Sequence, residues 1–217
     1  MPVWTTEQRN RRIDELLAQA PVLPVVVIER LEDAVPLART LVEAGLPVLE
    51  ITLRSDVALA AIRRIVDEVS GAVVGAGTVL TAADLAAVEA AGAVFAISPG
   101  ASKSLYMAAE DSRIPWLPAI ATASEVMRGL EHGHQRFKFF PAESSGGLAT
   151  LKAFAGPFAQ ARFCPTGGID ATKAGAYLRL PNVMTVGGSW MLPKEAIEQN
   201  DWSRIAGLAR ECANLSP

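Results

Sequence analysis

Two hydrophobic periods alternate along the chain. Short runs rich in β-branched and aromatic residues give way to Ala-, Leu-, Glu- and Arg-rich segments whose apolar positions recur every three or four residues. The first pattern marks strands and the second amphipathic helices. A leading helix is predicted from Thr6 to Ala20. The strand Val22 to Ile28 then precedes a helix from about Leu31 to Ala44, and Val48 to Leu53 precedes one from about Asp56 to Val69. Ala72 to Ala76 is followed by a helix from about Ala82, Val94 to Ile97 by one from Ser102, and Trp116 to Ala119 by one from Ser124. Arg136 to Phe140, Arg162 to Cys164 and Val183 to Val186 are the last strands, with helices from Gly147, from Asp170 and at the end of the chain.

Roughly eight strand–helix units with turn-sized links imply parallel strands, because each crossover is itself a helix. The pattern predicts an α/β fold, a single (β/α)8 TIM barrel over residues 1–217 with an extra N-terminal helix. An open doubly wound sheet is the alternative, but the Gly-rich dinucleotide fingerprint that usually follows its early strand is absent. No linker, charge block or low-complexity segment divides the chain.

Composition narrows the function classes. Half of the 217 residues are hydrophobic, so the chain buries a real core, and a formal charge of −3 leaves no broad basic surface for nucleic acid. The longest apolar run, Pro21 to Ile28, falls far short of the roughly 20 residues that span a bilayer, so no membrane association is expected. Met1 to Glu7 lacks the apolar core of a secretory leader, and a cytoplasmic location is expected. Cys164 and Cys212 form no metal or redox motif and read as buried free thiols; no metal site is expected. His132 and His134 straddle Gly133 where a helix stops, which reads as a solvated helix end.

The candidate chemistry lies in Gln135 to Glu143, where Lys138 sits among Phe137, Phe139 and Phe140. A primary amine in apolar surroundings is costly to keep charged, and the neutral form is the nucleophile that Schiff-base chemistry needs. The competing reading is a lysine that snorkels outward. Of Lys103, Lys138, Lys152, Lys173 and Lys194, only Lys138 lies in an aromatic strand. In the second strand, the period of two puts Glu50, Thr52 and Arg54 on one face and Leu49, Ile51 and Leu53 on the other. Helices cover the apolar face, so the polar set points into the barrel, as do Arg136, Lys138 and Phe140. Glu50 is then a candidate general acid/base beside Lys138, and Arg54 a grip for a substrate carboxylate; the bland alternative is a structural ion pair.

Three glycine-containing turns follow strands. Gly75-Ala76-Gly77-Thr78 allows close backbone approach to a ligand and offers the Thr78 hydroxyl. Thr166-Gly167-Gly168-Ile169 and Gly187-Gly188-Ser189-Trp190 follow the seventh and eighth strands, the two loops that frequently build a phosphate site in this architecture. A short helix after them would add its dipole.

These stretches, with Ile97-Ser98-Pro99-Gly100, Phe137 to Glu143 and Arg162 to Ile169, resemble the 2-keto-3-deoxy-6-phosphogluconate aldolase and 4-hydroxy-2-oxoglutarate aldolase family over nearly the whole chain. The resemblance implies a class I aldolase of the Entner–Doudoroff pathway, a homotrimer of (β/α)8 barrels. Its substrate is a phosphorylated keto acid cut to pyruvate and glyceraldehyde 3-phosphate; 4-hydroxy-2-oxoglutarate is a second substrate of many relatives. It needs no cofactor beyond the covalent imine on the lysine. It makes Lys138 the Schiff-base residue and Glu50 the proton shuttle. Arg54 and Thr78 would hold the pyruvate carboxylate, with Pro99, Phe140 and Thr166 as further substrate contacts, and Gly167, Gly168, Gly188 and Ser189 would hold the phosphate. Ala119 stands where relatives commonly have Gly, and Ser145 where some have Asn, departures that bear on substrate preference. Two rivals stay open, a phosphate-binding barrel isomerase and an inactive barrel that senses a metabolite.

Overall fold

The computed structural model describes residues 3–215. Met1 and Pro2 of the opening segment, and the last two positions of the expected domain, lie outside them. The described elements run α1 Thr6–Leu17, β1 Val22–Val26, α2 Ala34–Glu43, β2 Val48–Thr52, α3 Ala58–Glu68, β3 Val73–Gly77, α4 Ala82–Ala90, β4 Phe95–Ile97, α5 Lys103–Asp111 and β5 Trp116–Leu117. They continue with β6 Ala119–Ile120, α6 Ala123–Glu131, β7 Arg136–Phe139, α7 Gly147–Phe154, β8 Arg162–Pro165, α8 Ala171–Leu178, β9 Val186–Gly188, α9 Lys194–Glu198 and α10 Trp202–Ala213.

Local chemistry sets many of the helix starts. Thr5, Thr81 and Thr122 each form a capping box with the residue three positions on, Gln8, Asp84 and Glu125, so orphan N–H groups at α1, α4 and α6 are satisfied reciprocally. Ser102, Asp170 and Asp201 cap α5, α8 and α10 with one side chain each.

All strand pairs among the described residues are parallel. They form a six-stranded sheet in the order β5-β4-β3-β2-β1-β9 and a three-stranded sheet β6-β7-β8. The fold is α/β with a curled parallel sheet, in which the ladder departs from the expected strands twice. Trp116 to Ala119 is not one strand: Pro118, which has no N–H to donate, separates β5 from β6. The last strand lies at Val186–Gly188 rather than Val183 to Val186. Val183 makes only a single bridge to Phe163, and a second bridge joins Thr166 to Gly187.

Two apolar layers result. The larger lies between strands and helices and includes Leu41, Leu49, Ile62, Phe137 and Phe163. The smaller joins Leu23, Val48, Phe95, Ile97, Leu117 and Cys164 of the strands to Ile13, Leu16 and Leu17 of α1. Burying each of those three α1 side chains contributes about 1.5–3 kcal/mol, enough to hold α1 across the N-terminal ends of the strands. At that end Arg136 makes a two-pronged pair with Asp14, Nε to Oδ1 at 2.7 Å and a terminal nitrogen to Oδ2 at 2.6 Å. Arg136 shares the inward parity of Lys138, as expected, but is committed to α1 at the opposite end from the chemistry.

Candidate active site

Glu50 and Lys138 meet between β2 and β7. Lys138 Nζ lies 2.9 Å from Glu50 Oε1 and 3.2 Å from Oε2, and the two residues are 5% and 1% exposed. The lysine therefore faces a carboxylate rather than an all-apolar pocket, with the Phe140 ring centroid 5.4 Å away. Desolvating such a pair consumes most of its Coulomb energy, so it adds little net stability. Its neighbours in register are Ala119 on β6 and Cys164 on β8. Burial pushes the Cys164 thiol up to about 12, so it stays neutral beside the pair.

Room for the carboxylate comes from Gly77. A Cβ built there would lie 2.2 Å from Glu50 Oε1, and one at Gly75 would enter the Phe95 ring at 2.1 Å. Both glycines make room for protein side chains that a Cβ would displace. Thr78, next along, is half-buried at φ +60°, an unusual conformation for a β-branched residue.

Above the pair, the exposed Arg54 donates from Nε to Thr52 Oγ1 at 3.1 Å, and Thr52 donates to the Val26 carbonyl at 2.9 Å. Thr52 thus aims the guanidinium. Pro99 is half-buried, as is Phe140, and Thr166 is 6% exposed. A cavity of about 390 Å³ is lined by Arg54 and Ser189 together with Val27, Arg30 and Lys194, but not by Lys138 or Glu50.

The two late glycine loops are adjacent through the Thr166–Gly187 bridge, where a Cβ at Gly187 would meet Thr166 Oγ1 at 2.2 Å. Gly167 and Gly168 both have positive φ, +105° and +76°. Among the described residues no backbone carbonyl accepts from the N–H of Gly168 or Ser189. After these loops α8 begins with Asp170 accepting from the N–H groups of Thr172 and Lys173, and α9 begins at Lys194.

Several features were not anticipated from sequence. Glu143, held below the ordinary carboxylate range by the hydrogen bonds of Lys173 and Tyr177, ties the turn after β7 to α8. His134 is 2% exposed rather than solvated, packed edge-on against Tyr106 and Trp116, because Gly133 turns the chain inward at φ +73°. Burial, then the charges of Arg9 and His132, lowers His134 to about 3. His132 stacks on Tyr106 with centroids 4.3 Å apart. Cys164 and Cys212 are free and buried, as expected. Ser145 lies half-buried in the 3-10 turn Glu143–Ser145, accepting at its carbonyl from Thr150 Oγ1. Among the described residues no three His, Cys, Asp or Glu side chains converge as metal ligands.

Comparison with known proteins follows the same lines. The model of the KDPG and KHG aldolase family matches residues 13–208. The KHG/KDPG aldolase of Escherichia coli strain K12 is 52% identical over 211 residues, covering 97% of each chain. A KDPG aldolase of Legionella pneumophila, solved with pyruvate captured at low pH as a covalent carbinolamine intermediate, superposes with a TM-score of 0.91 at 47% identity, covering 93% of this chain and 98% of its own. The 2-keto-3-deoxy-6-phosphogluconate aldolase of Zymomonas mobilis ZM4, solved with 3-phosphoglycerate, gives a TM-score of 0.91 at 49% identity, covering 95% of this chain and 97% of its own.

Proposed function

The chain belongs to the KDPG and KHG aldolase family, and from that premise we propose that it cleaves 2-keto-3-deoxy-6-phosphogluconate to pyruvate and glyceraldehyde 3-phosphate through an imine on Lys138. The observation that carries this reading is the buried contact of 2.9 Å between Lys138 Nζ and Glu50 Oε1. A proton passed along that contact leaves a nucleophilic amine and a carboxylic acid ready to return it. The Legionella relative's carbinolamine with pyruvate supports the covalent route.

The amine attacks the C2 carbonyl, and Glu50 moves protons as the carbinolamine loses water. The iminium then draws the electrons of the C3–C4 bond as it breaks, while the C4 hydroxyl gives its proton to Glu50 through a water. The aldehyde departs. Protonation at C3 turns the enamine into the pyruvate imine, and water hydrolyses it to free Lys138. Nothing in this sequence calls for a cofactor or a metal.

Arg54, aimed by Thr52, and Thr78 hold the pyruvate carboxylate, while Pro99, Phe140 and Thr166 wall the reacting carbons. Gly167, Gly168, Gly188 and Ser189 hold the phosphate, a role supported by the left-handed turn at Gly167-Gly168 and by the unaccepted N–H groups of Gly168 and Ser189. The 3-phosphoglycerate in the Zymomonas relative's structure supports a phosphorylated three-carbon end. The same site cleaves 4-hydroxy-2-oxoglutarate to pyruvate and glyoxylate, in line with the name of the Escherichia coli relative.

The two sheets constitute one eight-stranded (β/α)8 barrel forming a single domain behind α1. β5 and β6 count as one strand interrupted at Pro118, and the Phe163–Val183 and Thr166–Gly187 bridges support closure. Family resemblance supports a homotrimer. A cytoplasmic location belongs to the same reading, and no described helix is long and apolar enough to cross a membrane.

Borohydride reduction in the presence of pyruvate tests the chemistry. A reduced pyruvyl adduct should appear on the peptide containing Lys138 and vanish in Lys138→Ala; undiminished labelling in that variant removes Lys138 from the role.

A further inference from the structure

The Glu143 side chain ties three elements together at the edge of the site. It lies in the turn after β7, the strand of Lys138, and its carboxylate accepts from the Tyr177 hydroxyl and pairs with Lys173 Nζ at 2.7 Å, both on α8. Lys173 Nζ also donates to the Gly168 carbonyl at 3.0 Å. The Glu143 N–H donates to the Gly167 carbonyl at 3.1 Å. A Cβ at Gly168 would lie only 2.8 Å from Glu143 Cβ and Cγ, so the two are in close contact.

An isolated ion pair with side chains 43% and 34% exposed contributes almost nothing to stability. This one differs in where its bonds end. Both carbonyls of a Gly-Gly turn are held, one by Glu143 and one by Lys173, at the residues with the greatest backbone freedom in the chain. Fixing both carbonyls fixes the peptide planes, and with them the direction of the turn's N–H groups. None of Glu143, Lys173 and Tyr177 has a part in the imine chemistry.

We propose that Glu143, Lys173 and Tyr177 are positioning residues that preset the Gly167-Gly168 turn to receive the substrate phosphate. The proposal rests on the phosphate role given above to that turn. Prepaid orientation of donors shows as binding rather than as bond-breaking, because the phosphate lies at the end of the substrate away from C3 and C4.

Steady-state kinetics with 2-keto-3-deoxy-6-phosphogluconate, and competitive inhibition by inorganic phosphate, test it in four variants. Lys173→Met should raise KM and the phosphate inhibition constant roughly five- to tenfold, the range for donors that lose alignment, with kcat nearly unmoved. Tyr177→Phe, which keeps the ring and its packing, should move the same two constants in the same direction by less. Lys173→Arg, able to pair with Glu143 and still donate to the Gly168 carbonyl, should recover most of the loss. Ser189→Ala reports on the phosphate site itself. If Ser189→Ala raises both constants while Lys173→Met and Tyr177→Phe leave them unchanged, the positioning proposal fails and the phosphate site stands. If Ser189→Ala leaves them unchanged as well, the phosphate role of these loops fails. An equal fall in kcat and in melting temperature, with KM unchanged, would show the cluster to be merely structural.

Discussion

Arg136 and Lys138 stand two positions apart on one face of β7, and each meets a carboxylate delivered by another element. The Arg136–Asp14 pair keeps partial contact with water, with side chains 13% and 32% exposed, and the guanidinium also reaches the carbonyls of Gln135 and Gln160. It spends its fixed fork of donors on tying α1 to the strand ends. The Lys138–Glu50 pair is drier, 7% and 1% exposed, and the ammonium makes its hydrogen bonds to that single carboxylate. A guanidinium is permanently charged and shaped for two-pronged attachment, whereas an amine can lose its proton and become a nucleophile. Height along one strand, together with that choice of cation, separates scaffold from chemistry.

The comparison breaks most visibly at Glu50. Glu50→Gln should reduce turnover by at least about 100-fold, the usual scale for a lost general acid/base, while the protein stays folded by circular dichroism. If Glu50→Gln unfolds the protein and its soluble fraction turns over near-normally, the Glu50–Lys138 pair is scaffold like the other one.

A smaller effect sharpens the N-terminal side, where His134 lies buried just ahead of β7. Its folded value of about 3 lies below the ordinary 6.5, so the unfolded chain takes up the extra proton. Stability from this group is complete above about 6.5 and is lost as pH falls from there toward about 3, amounting to about 2 kcal/mol between pH 7 and pH 5. Urea midpoints at those two pH values should draw closer together in His134→Phe than in the wild type; an unchanged difference would mean that other groups govern the acid side.

The smallest effect belongs to Asp14. Asp14→Asn should lower stability by about 0.5–1 kcal/mol in thermal or urea unfolding and leave kcat as it was. A loss of turnover there would join the two ends of β7 functionally and dissolve the distinction.

Much of the fold was legible because its signals are local. The change of hydrophobic period marks the strands and the helices between them. Lys138 and Glu50 were legible from parity, since a period of two leaves only one face for each. Parity says nothing of height, which is why Arg136 was grouped with the reactive residues. His134 was misread because local polarity at a helix end does not reveal that Tyr106 and Trp116 arrive from elsewhere to enclose it. Glu143 met Lys173 and Tyr177 only through folding, a contact between positions about thirty apart that no local period encodes.

Gly77 shows how an atom that is absent can be conserved in effect. It is not among the glycines held at positive φ, so its backbone does not by itself require glycine. The constraint is steric and comes from Glu50, whose Oε1 lies where the missing methyl would begin. Positions 50 and 77 therefore behave as one shared volume, and a map of the substitutions tolerated at 77 would serve as a ruler for the carboxylate. Residue 77 would rank with the catalytic positions in such a map while contributing no functional group, and only a shortened side chain at position 50 would relax it.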